Sequence, residues 1–249
     1  SRKSSSHAEV GYGSYNTFTA CAGSAGFSDD SSYGLDVGYS NTDGIDSQTG
    51  AQPDKDGYDN TSLTARWTRR LDAENDLNVS LLHAGGNTAF DNAWAGESVV
   101  HDSDYTQQVL NFRLDHDDEE GWQGKLQFGR SLDDSETFAD GVSDGKFDTT
   151  RFQLNGQLDW PVSEQHLLTV GSDYSKDSVD SSVIYDIDER SNLGVFLQWQ
   201  GIHGAQNFVA GARIDNNEQF GTHTTGSVDY ALDLTRGYRL NMGYGTAFK

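Results

Sequence analysis

The chain has 249 residues, a formal net charge of −22, 34% hydrophobic residues, 28 glycines and 11% aromatics. That acidity excludes nucleic acid as a partner and disfavours anionic surfaces, leaving cations as the natural partners. Bulky aliphatic residues are too sparse for an ordinary core and rings too plentiful for a disordered chain, so the composition points to a sheet with one apolar and one wet face.

In chain order, AEVGYGSYNTFTA from Ala8 predicts a strand, a tight turn near Gly13-Ser14 and a second strand to about Ala22. The single Cys21 falls in that second strand as a small residue, with a reactive or bridging thiol as the other reading. Tyr33, Leu35, Val37 and Tyr39 alternate with Gly34, Asp36, Gly38 and Ser40, the period of a strand. A polar loop is expected from Gly44 to Tyr58. Leu63, Ala65 and Trp67 then share a face, Asp72 to Asp76 turns the chain, and Leu77, Val79 and Leu81 return it. A second long loop is expected over Gly85 to Asp104, followed by Leu110, Phe112 and Leu114, a turn at Asp117 to Gly121, and Trp122, Leu126 and Phe128.

A third long loop is expected over Asp133 to Asp148. Phe152 to Trp160, FQLNGQLDW, then separates most cleanly: Phe152, Leu154, Gly156, Leu158 and Trp160 against Gln153, Asn155, Gln157 and Asp159. Pro161-Val162-Ser163-Glu164 is expected to end that strand, and Leu168, Val170 and Tyr174 to return it. After an acidic connection, Ser175 to Glu189, come Leu193 to Trp199, a short turn at Gly201 to Gly204, and Phe208 to Ile214. Asp215 to Thr222 connects to Val228 through Leu234, and Thr235-Arg236-Gly237 leads to Tyr238, Leu240, Met242 and Tyr244. The reading gives about thirteen antiparallel strands with short turns and long loops taking turns.

Every second connection of an antiparallel meander lies at the same end, so one end carries short turns and the other long loops. Outer-membrane barrels have that asymmetry, with short periplasmic turns and long extracellular loops. No apolar run of about 18 residues offers a transmembrane helix, and barrel strands of about 9–11 residues escape that test. Arg66, Lys125, Gln153 and Arg213 suit a wet inner wall, while Trp67, Trp122, Trp160, Trp199, Tyr238 and Tyr244 suit aromatic girdles. A soluble sandwich would use the same faces, but its strands are commonly only about 5–6 residues long. The expected class is therefore an all-β antiparallel transmembrane barrel, with residues 1–249 forming one barrel region.

The closing segment QFGTHTTGSVDYALDLTRGYRLNMGYGTAFK, the early EVGYGSYNTFTA and the loop AQPDKDGY resemble the TonB-dependent outer-membrane transporters, in particular those for cobalamin. The resemblance runs with gaps over nearly the whole chain. It implies a bacterial outer-membrane location and the N-terminal part of a barrel of about 22 strands, with the plug domain and the C-terminal strands outside this sequence. It also implies uptake of cobalamin or a related corrinoid, with TonB contacted only through the plug segment, and outer-membrane lipid and lipopolysaccharide around the barrel. A passive pore, a phage or bacteriocin receptor and a siderophore transporter are the alternatives on the same scaffold.

The densest carboxylate chemistry lies in the first two loops: Asp43, Asp46, Asp54, Asp56 and Asp59, then Asp91, Asp102 and Asp104. Calcium takes six to eight oxygens at about 2.3–2.6 Å, and Asp54 and Asp56, followed by Gly57, could turn two carboxylates toward one ion. The alternative is that these aspartates are solvated and favour turns. The resemblance implies calcium-ordered ligand loops and carries the role to Asp46, Asp54, Asp56, Phe90-Asp91 and Asp102. The seven histidines have no metal-ligand spacing, and no catalytic constellation or phosphate-cradling glycine loop is recognisable, so the chain is not expected to be an enzyme.

Overall fold

The computed structural model describes residues 4–48, 52–95, 98–118, 121–234 and 237–248. Thirteen strands follow one another: β1 Ser5–Tyr12, β2 Phe18–Phe27, β3 Ser31–Ile45, β4 Asp56–Arg70, β5 Asn75–Phe90, β6 His101–Asp117, β7 Gln123–Ala139, β8 Val142–Ser163, β9 His166–Ser181, β10 Glu189–His203, β11 Gln206–Asn217, β12 Gly221–Asp233 and β13 Arg239–Gly245. They form one sheet in sequence order. Each pairs antiparallel with the next, and β1 and β13 are the edges. Residues 49–51 of the first expected loop, Glu119-Glu120 of the 117–121 turn and Thr235-Arg236 before the last strand lie outside the described residues.

Alternation sorts the side chains into two faces, and the register aligns them into rows. On the outer face Phe112 pairs with Phe128, Phe128 with Leu154, and Leu154 with Tyr174. The rings follow: Phe128 lies 5.1 Å from Phe152 and Phe152 6.2 Å from Tyr174. On the inner face Gln127 pairs with Asn155, Asn155 with Asp173, Asp173 with Gly194 and Gly194 with Asp215. The expected inner positions Arg66, Lys125, Gln153 and Arg213 all fall on this second face. Among the described residues the only buried hydrophobic side chain is Ala231, 8% exposed, while Leu126, Val195, Leu197 and many others stand open. A single-layer sheet has nothing of its own to cover that face, and in a bilayer lipid does so.

The connections differ from expectation at the loop-bearing end. The expected loop over 133–148 is a hairpin, because β7 runs to Ala139, β8 starts at Val142, and Asp140 (φ 49°) with Gly141 (φ 73°) makes the two-residue turn. Left-handed φ at both central positions is the hairpin geometry that Asp-Gly favours. The 175–189 connection shrinks because β9 reaches Ser181, the 85–104 loop because β5 reaches Phe90 and β6 starts at His101, and the 44–58 loop because β4 starts at Asp56. Alternation of apolar and polar residues fades in these extensions because both faces are in water there. Pro161 does not end its strand: β8 continues to Ser163, with a register shift between Pro161 and Ser163. A bulge is a place where a residue without an N–H can sit in a ladder.

Candidate functional site

The site forms where the β3–β4 hairpin meets the chain leaving β5. The sheet register slips between Thr42 and Ile45 as β3 ends. Gly44 there has φ 70°, and a Cβ on it would overlap the Asp56 carbonyl. Only glycine meets both demands, so this residue lets the hairpin close tightly over Asp56. Ser47 N–H then donates to Asp56 Oδ2 at 2.8 Å. Asp91, the first residue after β5, draws in the same segment: its Oδ2 accepts from Gln48 N–H at 2.7 Å and from Ser47 Oγ at 3.2 Å. Gln52, 4% exposed, is braced by accepting from Asn92 N–H at 3.0 Å and donating to Asn92 O at 3.3 Å.

These contacts bring Asp54, Asp56 and Asp91 together, with one carboxylate oxygen of each within 4.8 Å of the others. Asp91 Oδ1 is buried and has no hydrogen-bond partner among the described residues. Three carboxylates this close repel one another, and a buried unpaired carboxylate oxygen is costly. A hard cation with oxygen ligands removes both penalties, and the donor set fits calcium.

The remaining expected ligands stand elsewhere. Asp46 is exposed and outside this group. Asp102 lies inside β6, paired with Ala89 and Phe138, and its Oδ2 accepts from Asn87 Nδ2 at 2.7 Å. It is one residue from His101, whose partner across the ladder is Phe90, so its side chain takes the opposite face. Asp102 belongs instead with Asp104, which accepts from the same Asn87 amide at 2.8 Å.

Two features had no signal in the sequence. Asp43 Oδ2 accepts from Asn16 Nδ2 at 2.7 Å and from Lys55 Nζ at 3.4 Å, tying the β1–β2 turn to the hairpin that carries the site. The Asn16 hydrogen bond, then the Lys55 ammonium, holds the Asp43 carboxyl below its usual range. His101 is 3% exposed and lies 5.6 Å from the Phe90 ring, closing the ladder beside Asp91.

Elsewhere on the sheet the inner wall is polar and tied by ion pairs. Arg213 reaches Asp173 at 2.6 Å and 2.8 Å and Asp215 at 2.6 Å, and Gly194 keeps the way clear, since a Cβ there would strike the guanidinium. Arg113 pairs with Asp115 at 2.8 Å. Nearer the rim Asn60 Nδ2 donates to Tyr105 OH at 2.7 Å, and Tyr105 OH to Tyr58 OH at 3.1 Å.

An open sheet of long strands, apolar outside and polar inside, with turns at one end and an acidic site at the other, is the wall of an outer-membrane receptor barrel. Residues 6–249 match the family described as TonB dependent receptor-like, beta-barrel, and the chain belongs to it; such barrels lie in the bacterial outer membrane. The vitamin B12 transporter BtuB of Photobacterium profundum is 22% identical over 206 residues, covering 80% of this chain and 32% of that protein. The ferripyoverdine receptor of the Pseudomonas aeruginosa outer membrane, bound to ferripyoverdine, superposes with a TM-score of 0.75 at 13% identity, over 98% of this chain and 42% of that one. The siderophore receptor PirA of Acinetobacter baumannii gives a TM-score of 0.69 at 14% identity, over 98% and 43%. The chain thus spans less than half the length of each.

Proposed function

We propose that this chain forms the wall and outer binding rim of a TonB-dependent importer for cobalamin or a related corrinoid, with calcium held by Asp54, Asp56 and Asp91. The observation that carries the reading is the convergence of these three carboxylates from two separate connections, with a buried oxygen of Asp91 left unpaired among the described residues. Calcium there would fix the tip of the β3–β4 hairpin against the segment leaving β5, so that the rim meets its ligand already ordered. That lowers the entropy cost of binding. The likeness to a vitamin B12 transporter supports the corrinoid. The likeness to ferripyoverdine and PirA receptors favours a second reading, in which the same rim takes a ferric siderophore.

The test is ligand binding by the native protein purified from outer membranes. Cyanocobalamin is expected to bind with calcium present and to weaken about tenfold or more on chelation, the scale of an ordinary coupling between sites. Tight binding of a ferric siderophore, indifferent to cobalamin as competitor, would establish the second reading and overturn the first.

A further inference from the structure

The outer face of β7–β9 differs from the rest of the outer wall in two ways. First, it carries cations. Among the described residues, the lysines and arginines that strand register places on the outer face toward the loop-bearing end are Arg130, Lys146 and Lys176, on three consecutive strands. Arg130 pairs with Leu110 and Phe152, and Phe152 pairs with Lys176, so Arg130, Phe152 and Lys176 form one row directly above the apolar Phe128–Leu154–Tyr174 row. Lys146 is held by Asp148 at 2.6 Å and Asp180 at 3.0 Å. Lys176 meets Glu189 at 2.9 Å and keeps further donors. Arg130 is exposed and has no hydrogen bond or ion pair among the described residues.

Second, the same strands carry a furrow below those cations. Leu126 pairs with Gly156, Gly156 with Ser172 and Ser172 with Val195, so two small residues lie side by side between two large ones. The hollow has a volume of about 540 Å³ and is walled by Trp122, Leu126, Leu158, Val170 and Val195. A Cβ at Gly156 would meet only Leu126 Cδ1, at 3.9 Å, so the space above the glycine is open.

Arg130 to Leu126 is four residues, or about 13 Å along the strand, and half of a hydrocarbon core is about 15 Å. A lipid with its phosphate at the upper edge of the apolar band would lay an acyl chain over Gly156 and Ser172. We propose that this face binds one phosphorylated lipid of the outer leaflet, its phosphate between Arg130 and Lys176 and an acyl chain in the furrow. Guanidinium and ammonium donors recognise phosphate by charge-assisted hydrogen bonds, and the chain fills space the protein leaves vacant. Asp134, Asp148 and Asp180, in the second row beyond, repel a second phosphate and so fix the height of the first. The lipid site stands apart from the rim and does not depend on which ligand is imported.

Native mass spectrometry of the protein purified from outer membranes, with lipid A as probe, tests it. Lipid A is expected to be retained, while lipid A stripped of both phosphates is lost and millimolar inorganic phosphate does not displace the intact lipid. Joint R130Q and K176Q substitution is expected to weaken retention about tenfold or more, and G156L severalfold, because leucine occupies the furrow without striking the backbone. R66Q, on the inner face of β4 and away from the furrow, is the control and is expected to change nothing. Equal retention by R130Q/K176Q, an equal loss in R66Q, or displacement by free phosphate would overturn the proposal. Unchanged heat-modified gel mobility of each variant shows that its barrel is intact.

Discussion

Asp72 shows how single residues hold the turns at the non-loop end. Its Oδ1 accepts from the backbone N–H of Glu74 and of Asn75, each at 2.9 Å, and from Asn75 Nδ2 at 2.8 Å. The Glu74 N–H, then the Asn75 side chain, holds the carboxyl below its usual value. A depressed carboxyl stabilises the fold above its unfolded pKa, about 3.9. That contribution fades as pH falls from there through the lower folded value, and Asp72→Ala is expected to flatten the acid limb of a thermal-unfolding profile over that interval. Arg213 anchors the inner wall in a comparable way. Arg213→Met leaves Asp173 and Asp215 without their guanidinium and is expected to destabilise by about 1–3 kcal/mol, read from denaturant unfolding in detergent. Gly44→Ala forces both a left-handed alanine and an overlap with the Asp56 carbonyl, and is expected to weaken calcium affinity while leaving the strands intact by circular dichroism.

At the scale of elements, the lipid-facing strands were legible and their extensions were not. FQLNGQLDW reads as a strand because one face meets lipid and the other meets water, and β8 contains it within Val142–Ser163. The stretch 133–148 loses that contrast, since Asp134 and Asp148 on one face and Asp133 and Ser135 on the other are all polar. The turn that makes it a hairpin is two residues, Asp140-Gly141, which is visible once the flanking polar residues are allowed to be strand. The same blindness placed Asp102 among the loop ligands, when it lies in the extended part of β6. Asp54, Asp56 and Asp91 were reachable from acidic spacing and family resemblance. The Asn16–Asp43 contact joins the β1–β2 turn to the end of β3 across 27 residues and left no local pattern. Gly141→Val places a β-branched residue at φ 73°. It is expected to loosen the hairpin tip without unfolding the barrel, seen as faster cleavage near residue 140 by protease added to intact cells.

For the molecule as a whole, one apolar face without a protein partner and one polar face tied by arginine–carboxylate pairs define a wall between lipid and an aqueous lumen. The net charge of −22 and the convergence of Asp54, Asp56 and Asp91 at the rim suit attraction of a cation there. The measurement that tests the account most directly is a calorimetric calcium titration of the native protein and its aspartate variants. Saturable binding is expected, weakened about tenfold or more in Asp54→Asn, Asp56→Asn and Asp91→Asn and unchanged in Asp102→Asn. Absence of binding, or binding that survives all three substitutions, would contradict it.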